Sequence, residues 1–407
     1  MSTQFSVSND EEPVASPRPA MLPYGRQSIS ESDIRAVVEV LRSDWLTTGP
    51  KVEEFEEAFA HLVGAGAAVA VSSGTAALHA AAYACAIGPE DEVVVPAMTF
   101  AATSNCVLYQ GGTPVFADVD PDTLLLDPHD VALKLTPRTK AIIAVDYAGQ
   151  ACDYDALRVI ADEHGLMLIA DACHAIGGSY KGRSVGTLAD LSTFSFHPVK
   201  HVTTGEGGMI ATDDPTLARQ MRTFRNHGIT TDHRQREQQG SWLYEMVDLG
   251  FNYRITDFQC ALGIKQIATL QDRVRRRQEI ARRYDEAFSS IPQIKPLGLQ
   301  SNVSHAYHLY VIQLNLERLS AGRREIFSAL RAEGLGVNVH YIPVHLHPYY
   351  RERLGTGPGL CPNAEAAYER ILSLPMFPAM EDSDVSRVID VVRKVVDSYA
   401  TPARRSI

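Results

Sequence analysis

The chain has 407 residues, with 38 Lys or Arg and 49 Asp or Glu, and its formal net charge is −11. A hydrophobic fraction of 45% with 21% charged residues is ordinary for a globular protein and excludes a wholly disordered chain. The acidic balance provides no electrostatic footprint for nucleic acid, and no apolar run is long enough to predict a membrane span.

The two ends of the chain differ in composition from the rest. Residues 1–20 are rich in Ser, Pro and acidic residues, lack the apolar core of a signal peptide and predict a disordered tail, as do residues 401–407. Since no C-x-x-C pair occurs, we expect a protein of the reducing cytoplasm. Free thiols are expected for all six cysteines, which are Cys85, Cys106, Cys152, Cys173, Cys260 and Cys361.

Two amphipathic helices are predicted first. Ser30 is placed to cap the earlier one. Its apolar stripe consists of Ile34, Val37, Val38 and Leu41. The apolar side of the second helix consists of Phe55, Phe59 and Leu62.

Strands and helices then alternate up to about residue 270. Short apolar runs predict seven strands, at residues 67–71, 93–95, 114–117, 141–145, 166–170, 191–196 and 208–212. Helices are predicted between them at residues 74–86, 99–109, 130–135 and 154–163. Continuously apolar strands separated by helices predict an α/β fold with a mainly parallel sheet that is covered on both faces.

The pattern changes after residue 271, where a strongly charged helix begins at Asp272. Beyond it the predicted strands cover residues 308–314 and 337–341, and the predicted helices cover residues 323–333 and 384–396. We therefore expect a large α/β domain at residues 21–271 and a smaller α+β domain at residues 272–407. Residues 232–239 are polar and predict a loop.

A phosphate-binding turn is predicted at Ser73-Gly74-Thr75, which follows a strand and opens a helix. An ordinary helix N-cap is an equally good interpretation of these residues alone. The glycines in Gly64-Ala65-Gly66 precede a strand instead of following one, so they do not form a dinucleotide-binding fingerprint.

Two further residues, Asp171 and Lys200, bear on the function of this turn. Asp171 ends an apolar strand, where open parallel sheets bind ligands, although a strand-end cap or ion pair is the alternative. Lys200 lies among apolar residues and histidines before a Gly-rich turn, and a desolvated amine of this kind suits Schiff-base formation. An anion cradle, an acid for a pyridinium nitrogen and a reactive lysine are the three groups that pyridoxal 5'-phosphate requires.

From about Tyr24 to Tyr399 the chain resembles the DegT-type sugar-nucleotide aminotransferases, which have the fold-type I architecture. The matching strings are residues 72–79, 96–100, 171–175 and 195–200. Residues 24–27, 43–50 and 340–345 are most similar to the transaminases of pseudaminic acid biosynthesis within that family. The resemblance implies a large domain with a seven-stranded sheet, a smaller C-terminal domain and a pyridoxal phosphate cofactor.

The resemblance also implies roles for the cofactor-binding residues. Lys200 would bind pyridoxal phosphate covalently and later move the substrate proton, and Asp171 would keep the pyridine nitrogen protonated. Phe100 would stack on the ring and His174 would contact its 3-oxygen, although core packing remains the alternative for Phe100 and a core or capping role the alternative for His174. The phosphate would be bound by Ser73, Gly74, Thr75, Ser195 and, from a neighbouring subunit, Asn252.

Sharing of the site through Asn252 would require at least a homodimer, whereas the alternative for Asn252 is a turn residue. The residues placed around the sugar nucleotide by the resemblance are Tyr24, Asp44, Trp45, Leu46, Thr47, His340, Tyr341, Ile342 and Pro343. Arg254 is a candidate for the carboxylate of the amino donor, with a structural salt bridge as the alternative. His345 and His347 lack a third ligand at a convincing spacing, so no metal site is predicted.

The reaction implied is transfer of an amino group from L-glutamate to C4 of UDP-2-acetamido-2,6-dideoxy-β-L-arabino-hex-4-ulose, a UDP-linked 4-keto-6-deoxy-N-acetylhexosamine. An aminotransferase for another nucleotide-linked keto-sugar is the first alternative. A related dehydratase would have His in place of Lys200, which argues against that class. A non-catalytic regulatory relative need not keep Lys200, Asp171 and the phosphate turn together.

Overall fold

The computed structural model describes residues 21–231, 233–238 and 240–401. The tails predicted at residues 1–20 and 402–407 therefore lie outside the described residues. None of the described helices combines the length and the apolar composition that crossing a membrane requires.

The first two helices are α1 (Glu31–Leu41) and α2 (Pro50–Val63). Ser30 caps α1 in a capping box, as predicted. The predicted apolar stripe is wrong at Ile34 and Leu41, which are 46% and 55% exposed. The helix instead packs through Ala36 and Val40 against a later helix, which leaves the side that bears Ile34 and Leu41 facing outward.

The predicted seven-stranded sheet is confirmed. Chain order gives β1 (Ala67–Val71), β2 (Glu92–Pro96), β3 (Thr113–Ala117), β4 (Thr139–Val145), β5 (Met167–Asp171), the short β6 (Ser179–Tyr180) and β7 (Arg183–Ser184), β8 (Leu191–Ser195) and β9 (Gly208–Thr212). The spatial order is β1-β9-β8-β5-β4-β2-β3. Only β9 runs antiparallel to its neighbours in this sheet, so the carboxyl ends of the other six strands meet at one edge.

The helices that follow in this part are α3 (Gly74–Ala84), α4 (Ala101–Tyr109), α5 (Pro128–Lys134), α6 (Tyr154–His164), α7 (Pro215–Phe224), α8 (His233–Gln238) and α9 (Asp257–Ala268). Of these, α3 to α7 contact strands of the sheet. Two were not predicted although their start signals are local: Asp214 caps α7 before a proline, and Thr256 with Gln259 forms the capping box of α9. The loop predicted at residues 232–239 is wrong for residues 233–238, which form α8.

The C-terminal part begins with a long charged helix, as predicted. Its elements are α10 (Leu270–Phe288), β10 (Ile294–Pro296), β11 (Val303–Ser304), β12 (Tyr310–Leu314), α11 (Arg323–Ala332), α12 (Pro348–Leu354), α13 (Pro362–Tyr368), β13 (Ile371–Leu374) and α14 (Asp382–Ser398). A three-stranded antiparallel sheet forms in the order β10-β12-β13. The strand predicted at residues 337–341 is wrong, since a single bridge from Asn338 to Ser373 is its only ladder pairing among the described residues.

The described residues form two large hydrophobic cores, in addition to the small cluster of Ala36, Val40 and Ala261. The larger surrounds the seven-stranded sheet, and the smaller lies between the C-terminal sheet and helices α10, α11 and α14. Helix α10 contributes to both, because Leu270 and Val274 pack in the first core whereas Ile280 and Tyr284 pack in the second.

Candidate active site

A cavity of about 550 Å³ lies at the carboxyl edge of the parallel strands. Its walls include the residues that follow β1, β2, β5 and β8, which is where open α/β sheets bind ligands. Of the residues singled out from the sequence, this cavity brings together Tyr24, Ser73, Gly74, Thr75, Phe100, Asp171, His174, Ser195, Lys200, His340 and Tyr341.

The turn between β1 and α3 forms one end of the cavity. The Ser73 hydroxyl accepts a hydrogen bond from the amide of Ala76 at 3.0 Å, so this side chain caps α3. A Cβ atom on Gly74 would lie 2.8 Å from the Cβ of Ser195, which shows how closely β8 approaches the turn. The backbone amides at the start of α3 therefore lie beside the Ser195 hydroxyl, an arrangement suited to a phosphate group.

Asp171 lies at the end of β5 and is 6% exposed. One of its carboxylate oxygens accepts from the Thr103 hydroxyl at 2.7 Å, and the other accepts from the amide of Cys173 at 3.3 Å. The Thr103 oxygen lies 2.7 Å from that of Thr99, which extends the chain of hydroxyls. These bonds fix the direction of the carboxylate in a site with little water. Thr103 was not predicted from the sequence, because a threonine within a helix carries no signal that singles it out as a site residue.

A second buried carboxyl group lies beside Asp171. Asp146 follows β4, and its amide donates to the carbonyl oxygen of Asp171 at 3.1 Å. Its carboxylate accepts from the amide of Cys152 at 3.0 Å and from the hydroxyl of Tyr154 at 2.9 Å. Burial raises the pKa of Asp146 to about 7, in spite of these two bonds, which lower it. Its other oxygen has no partner among the described residues.

Lys200 extends into the same cavity from the loop after β8. Its Nζ lies 3.5 Å from Nε2 of His308. Burial lowers the pKa of Lys200, whereas the nearby Cys173 and Asp171 raise it. A lysine with a lowered pKa has a larger neutral fraction at physiological pH, and the neutral amine is the nucleophile.

One wall of the cavity is aromatic. Phe100 is 60% exposed and its ring lies 6.0 Å from that of Tyr341, so the alternative that it is a core residue is wrong. His174 is buried, its Nε2 lies 3.1 Å from the Tyr341 hydroxyl, and its Nδ1 has no partner among the described residues. The ring of His340, which is buried, lies 5.4 Å from that of Tyr24. A planar aromatic ligand with a polar substituent fits between these groups.

Several predicted residues lie outside this cavity in the single chain. Asn252 is exposed and forms a bridge with Asn226. The cavity lining likewise does not include Ile342, Pro343 or the loop residues Asp44, Trp45, Leu46 and Thr47.

Arg254 lines a separate cavity of about 400 Å³ with Arg219, Arg222 and Arg225. It donates to the side-chain oxygen of Asn226 at 2.9 Å, and no salt bridge of Arg254 occurs among the described residues. His345, one of the two histidines considered for a metal, lies 2.9 Å from the Glu365 carboxylate and is fully buried.

The chain belongs to the DegT/DnrJ/EryC1/StrS aminotransferase family, whose sequence model matches residues 27–393. It is 45% identical over 377 residues to the spore coat polysaccharide biosynthesis protein SpsC of Bacillus subtilis, covering 92% of this chain and 97% of SpsC.

Two solved structures are similar along their whole length. The PLP form of Spr1654 from Streptococcus pneumoniae, named as a sugar aminotransferase, is 32% identical with a TM-score of 0.88, covering 94% of this chain and 100% of its own. PseC from Helicobacter pylori, named as an aminotransferase involved in pseudaminic acid biosynthesis, is 31% identical with a TM-score of 0.87, covering 93% of this chain and 100% of its own. The protein is therefore a sugar aminotransferase of fold-type I that uses pyridoxal 5'-phosphate.

Proposed function

We propose that this sugar aminotransferase transfers the amino group of L-glutamate to C4 of UDP-2-acetamido-2,6-dideoxy-β-L-arabino-hex-4-ulose and so makes UDP-4-amino-4,6-dideoxy-N-acetyl-β-L-altrosamine. The observation that carries the proposal is the joint position of Tyr24, His340 and Tyr341 on the wall of the cavity that contains Lys200 and Asp171. Tyr24 and the 340–345 segment belong to the three sequence stretches, residues 24–27, 43–50 and 340–345, that resemble the transaminases of pseudaminic acid biosynthesis, and PseC is a full-length structural neighbour.

The side chains and backbone amides that line the cavity would have the following roles. The first turn of α3 and the Ser195 hydroxyl would bind the cofactor phosphate, and Phe100 would pack against the face of the ring. His174, whose Nδ1 lacks a partner among the described residues, would contact the 3-oxygen. Asp171, held by Thr103, would hold a proton on the pyridine nitrogen, and the Lys200 amine would move the proton at the reacting carbon. When bound, the cofactor supplies the electron sink for that proton transfer.

The identity of the sugar is open to a direct test. Purified protein is incubated with L-glutamate and a panel of UDP- and dTDP-linked 4-keto-6-deoxysugars, and the aminated products are identified by mass spectrometry and NMR. We expect amination of the UDP-linked N-acetylated 4-keto-sugar, with Lys200→Ala inactive and Lys140→Ala, a change at an exposed lysine, fully active. Amination of dTDP-sugars alone would refute the proposed sugar but not the transaminase chemistry.

A second candidate, amination of a different nucleotide-linked keto-sugar, is favoured by the 45% identity with SpsC, a protein named for spore coat polysaccharide. The same panel separates the two candidates, because each predicts a different aminated product. Arg254 remains our candidate for the carboxylate of the amino donor.

We further propose a homodimer with shared active sites. Asn252 and the loop from Asp44 to Thr47 lie outside the cavity of their own chain and are available to a neighbouring one. The segment before Asn252 exposes a series of large apolar side chains, which are Trp242, Leu243, Tyr244, Met246, Val247, Leu249 and Phe251. An apolar patch of this kind is typical of a protein–protein interface.

Mixing two inactive variants tests this arrangement. If Asn252 of the partner subunit completes the site around Lys200, a 1:1 mixture of Lys200→Ala and Asn252→Ala that exchanges subunits contains one intact site in each hybrid dimer. About a quarter of wild-type activity is then expected from random pairing of a two-fold dimer. A mixture that stays as inactive as its components, after mass spectrometry has shown exchange, would refute a shared site.

We also retain a division into a cofactor domain at residues 21–271 and a C-terminal domain at residues 272–407 as a proposal. It is supported by the separate hydrophobic cluster that forms around β10, β12 and β13.

A further inference from the structure

His308 lies behind Lys200, in the segment that leads into β12. The backbone of this segment is fixed by two other parts of the chain: Ala306 and Leu309 donate to the carbonyl oxygens of Gly149 and Ala148 at 2.8 and 3.1 Å. The buried guanidinium group of Arg277 donates to the carbonyl oxygen of His308 at 3.2 Å. The position of the imidazole is therefore set by the large core and α10 together, before any ligand binds.

The imidazole is 5% exposed and has neighbours on two sides. Its Nε2 lies 3.5 Å from Nζ of Lys200, and its ring centroid lies 4.4 Å from that of His174. Its Nδ1 is buried without a partner among the described residues. Burial lowers the pKa of His308 well below the usual range, so the ring is neutral and carries one N–H.

Because Nδ1 of His308 has no partner among the described residues, we can infer which ring nitrogen carries the proton. A buried N–H without an acceptor is rarer and costlier than an unfilled acceptor. The proton therefore belongs on Nε2, which faces Lys200, and an Nε2–H group can donate only to a lone pair. Among the forms of a lysine side chain, only the neutral amine has a lone pair on Nζ.

We propose that His308 is a positioning residue for Lys200, donating a hydrogen bond to the lone pair of its neutral ε-amine and so holding this amine at a fixed place in the cavity. The proposal rests on the function proposed above, in which Lys200 is the reactive amine. In this proposal His308 acts on Lys200 and does not contact the sugar substrate.

Other ionisable groups also face the Lys200 amine. Asp171 favours the charged amine, as does the thiol of Cys173. Besides His308, three further histidines lie near the amine, and burial lowers the pKa of each: His174, His201 and His340. The other ionisable residues that line the cavity with Lys200 are Tyr24, His197, Glu206 and Tyr341. Among the described residues, His308 is the one side chain that hydrogen-bonds Nζ.

Acetylation of Lys200 over a range of pH tests the proposal, because acetic anhydride attacks only neutral amines. The full-length protein is freed of cofactor with hydroxylamine, pulse-labelled at each pH and digested, and the acetylated fraction of Lys200 is measured by peptide mass spectrometry. His308→Gln keeps an amide nitrogen near the place of Nε2, whereas His308→Asn, one methylene shorter, does not reach Nζ. His305→Asn is the matched control: this buried histidine is on the same segment but is stacked on Tyr307.

We expect the labelling midpoint of Lys200 to rise by about 0.5 to 1 pH unit in His308→Asn, since one net hydrogen bond to the neutral amine is lost. His308→Gln should restore the midpoint to within about 0.3 unit of the wild type, and His305→Asn should leave it unchanged. His308→Met is the further variant if the asparagine substitution prevents folding, and the same rise is expected from it.

Equal midpoints in wild type, His308→Asn and His308→Met would overturn the proposal, as would an equal rise in His305→Asn. Failure of the proposed function has a different signature. If Lys200 is the cofactor-bearing residue, it resists acetylation in the protein as isolated and becomes reactive after hydroxylamine treatment. Labelling that is the same before and after that treatment would reject the role of Lys200 itself.

Discussion

Replacing Gly208 with alanine should weaken cofactor binding indirectly, because the new methyl group would displace the backbone of Ser73 and Gly74. Gly208 is the first residue of β9, the single antiparallel strand of the large sheet, and it lies against the phosphate turn. A Cβ atom at this position would lie 2.3 Å from the carbonyl oxygen of Ser73 and 2.9 Å from the amide nitrogen of Gly74. Both of those atoms belong to the backbone, so no side chain can rotate away to relieve the clash.

The size of the effect follows from this geometry. Ordinary van der Waals contact begins near 3.4 Å, so the turn or the strand has to move by about 1.1 Å, the difference between 3.4 and 2.3 Å. Overpacking of this kind costs about 1–3 kcal/mol, which corresponds to a loss of roughly 5- to 150-fold in affinity if the turn carries the displacement. The φ angle of Gly208 is not left-handed, so alanine adds no backbone strain.

The assay is titration of the cofactor-free protein with pyridoxal phosphate, followed by visible absorbance, together with thermal unfolding of the same samples. Gly357→Ala is the matched control, because a Cβ atom there has nothing within 4 Å and the φ angle is also not left-handed. If Gly208→Ala binds the cofactor as tightly as Gly357→Ala, the prediction that a displaced turn weakens cofactor binding is wrong.

Three other outcomes are expected. Lys200→Ala should lose at least about 10²–10⁴-fold in turnover while unfolding at nearly the wild-type temperature, and turnover within tenfold of the wild type would exclude it as the proton carrier. The pKa of Asp146 is raised to about 7 in the native state, against 3.8 in the unfolded chain. Between those pH values the native state therefore binds one more proton, on the Asp146 carboxyl group, than the unfolded chain does. The free energy of unfolding consequently falls as the pH rises from about 4 to 7. That loss is about 4 kcal/mol. The free energy of unfolding from denaturant titrations should depend less on pH in Asp146→Asn, and an unchanged pH dependence would contradict the raised pKa of Asp146. Removing the cofactor should lower the thermal midpoint, because a ligand at 100 times its Kd stabilises the native state by about 2.7 kcal/mol, and equal midpoints for the two forms would argue against specific binding.

Much of the fold could be predicted because its strands are short, continuously apolar and separated by clear helix signals. The segment from Ala67 to Val71 was predicted with the bounds that the structure has. The errors have physical causes. Ile34 and Leu41 fit an apolar periodicity, but which side of a helix is buried depends on the partner helix, and that is a long-range property. The strand predicted at residues 337–341 has apolar alternation, but its backbone turns into the cavity instead of joining a sheet.

The reactive centre was easier to predict than its surroundings. The cavity contains Lys200 and Asp171 because Asp171 ends one parallel strand and Lys200 follows another strand of the same sheet, and strand ends can be located from the apolar pattern. Thr103 and His308 could not be ranked in advance, since one lies within a helix and the other before a strand of the C-terminal part. Residues such as Asn252 are placed by a second subunit in our proposal, and the sequence of one chain does not contain that geometry.

Because α10 is one continuous helix that packs in both cores, it limits how the substrate can enter the cavity. The helix has 19 residues, about 28 Å at 1.5 Å per residue, and it is embedded in both cores. Arg277 anchors its middle by donating to the carbonyl oxygens of Tyr307, His308 and Met376. Rocking of the C-terminal part as a rigid body would bend this helix and break buried bonds. Access for a nucleotide sugar is therefore expected to depend on displacement of short segments at the edge of the cavity, such as the one that bears Tyr24, over a rigid framework.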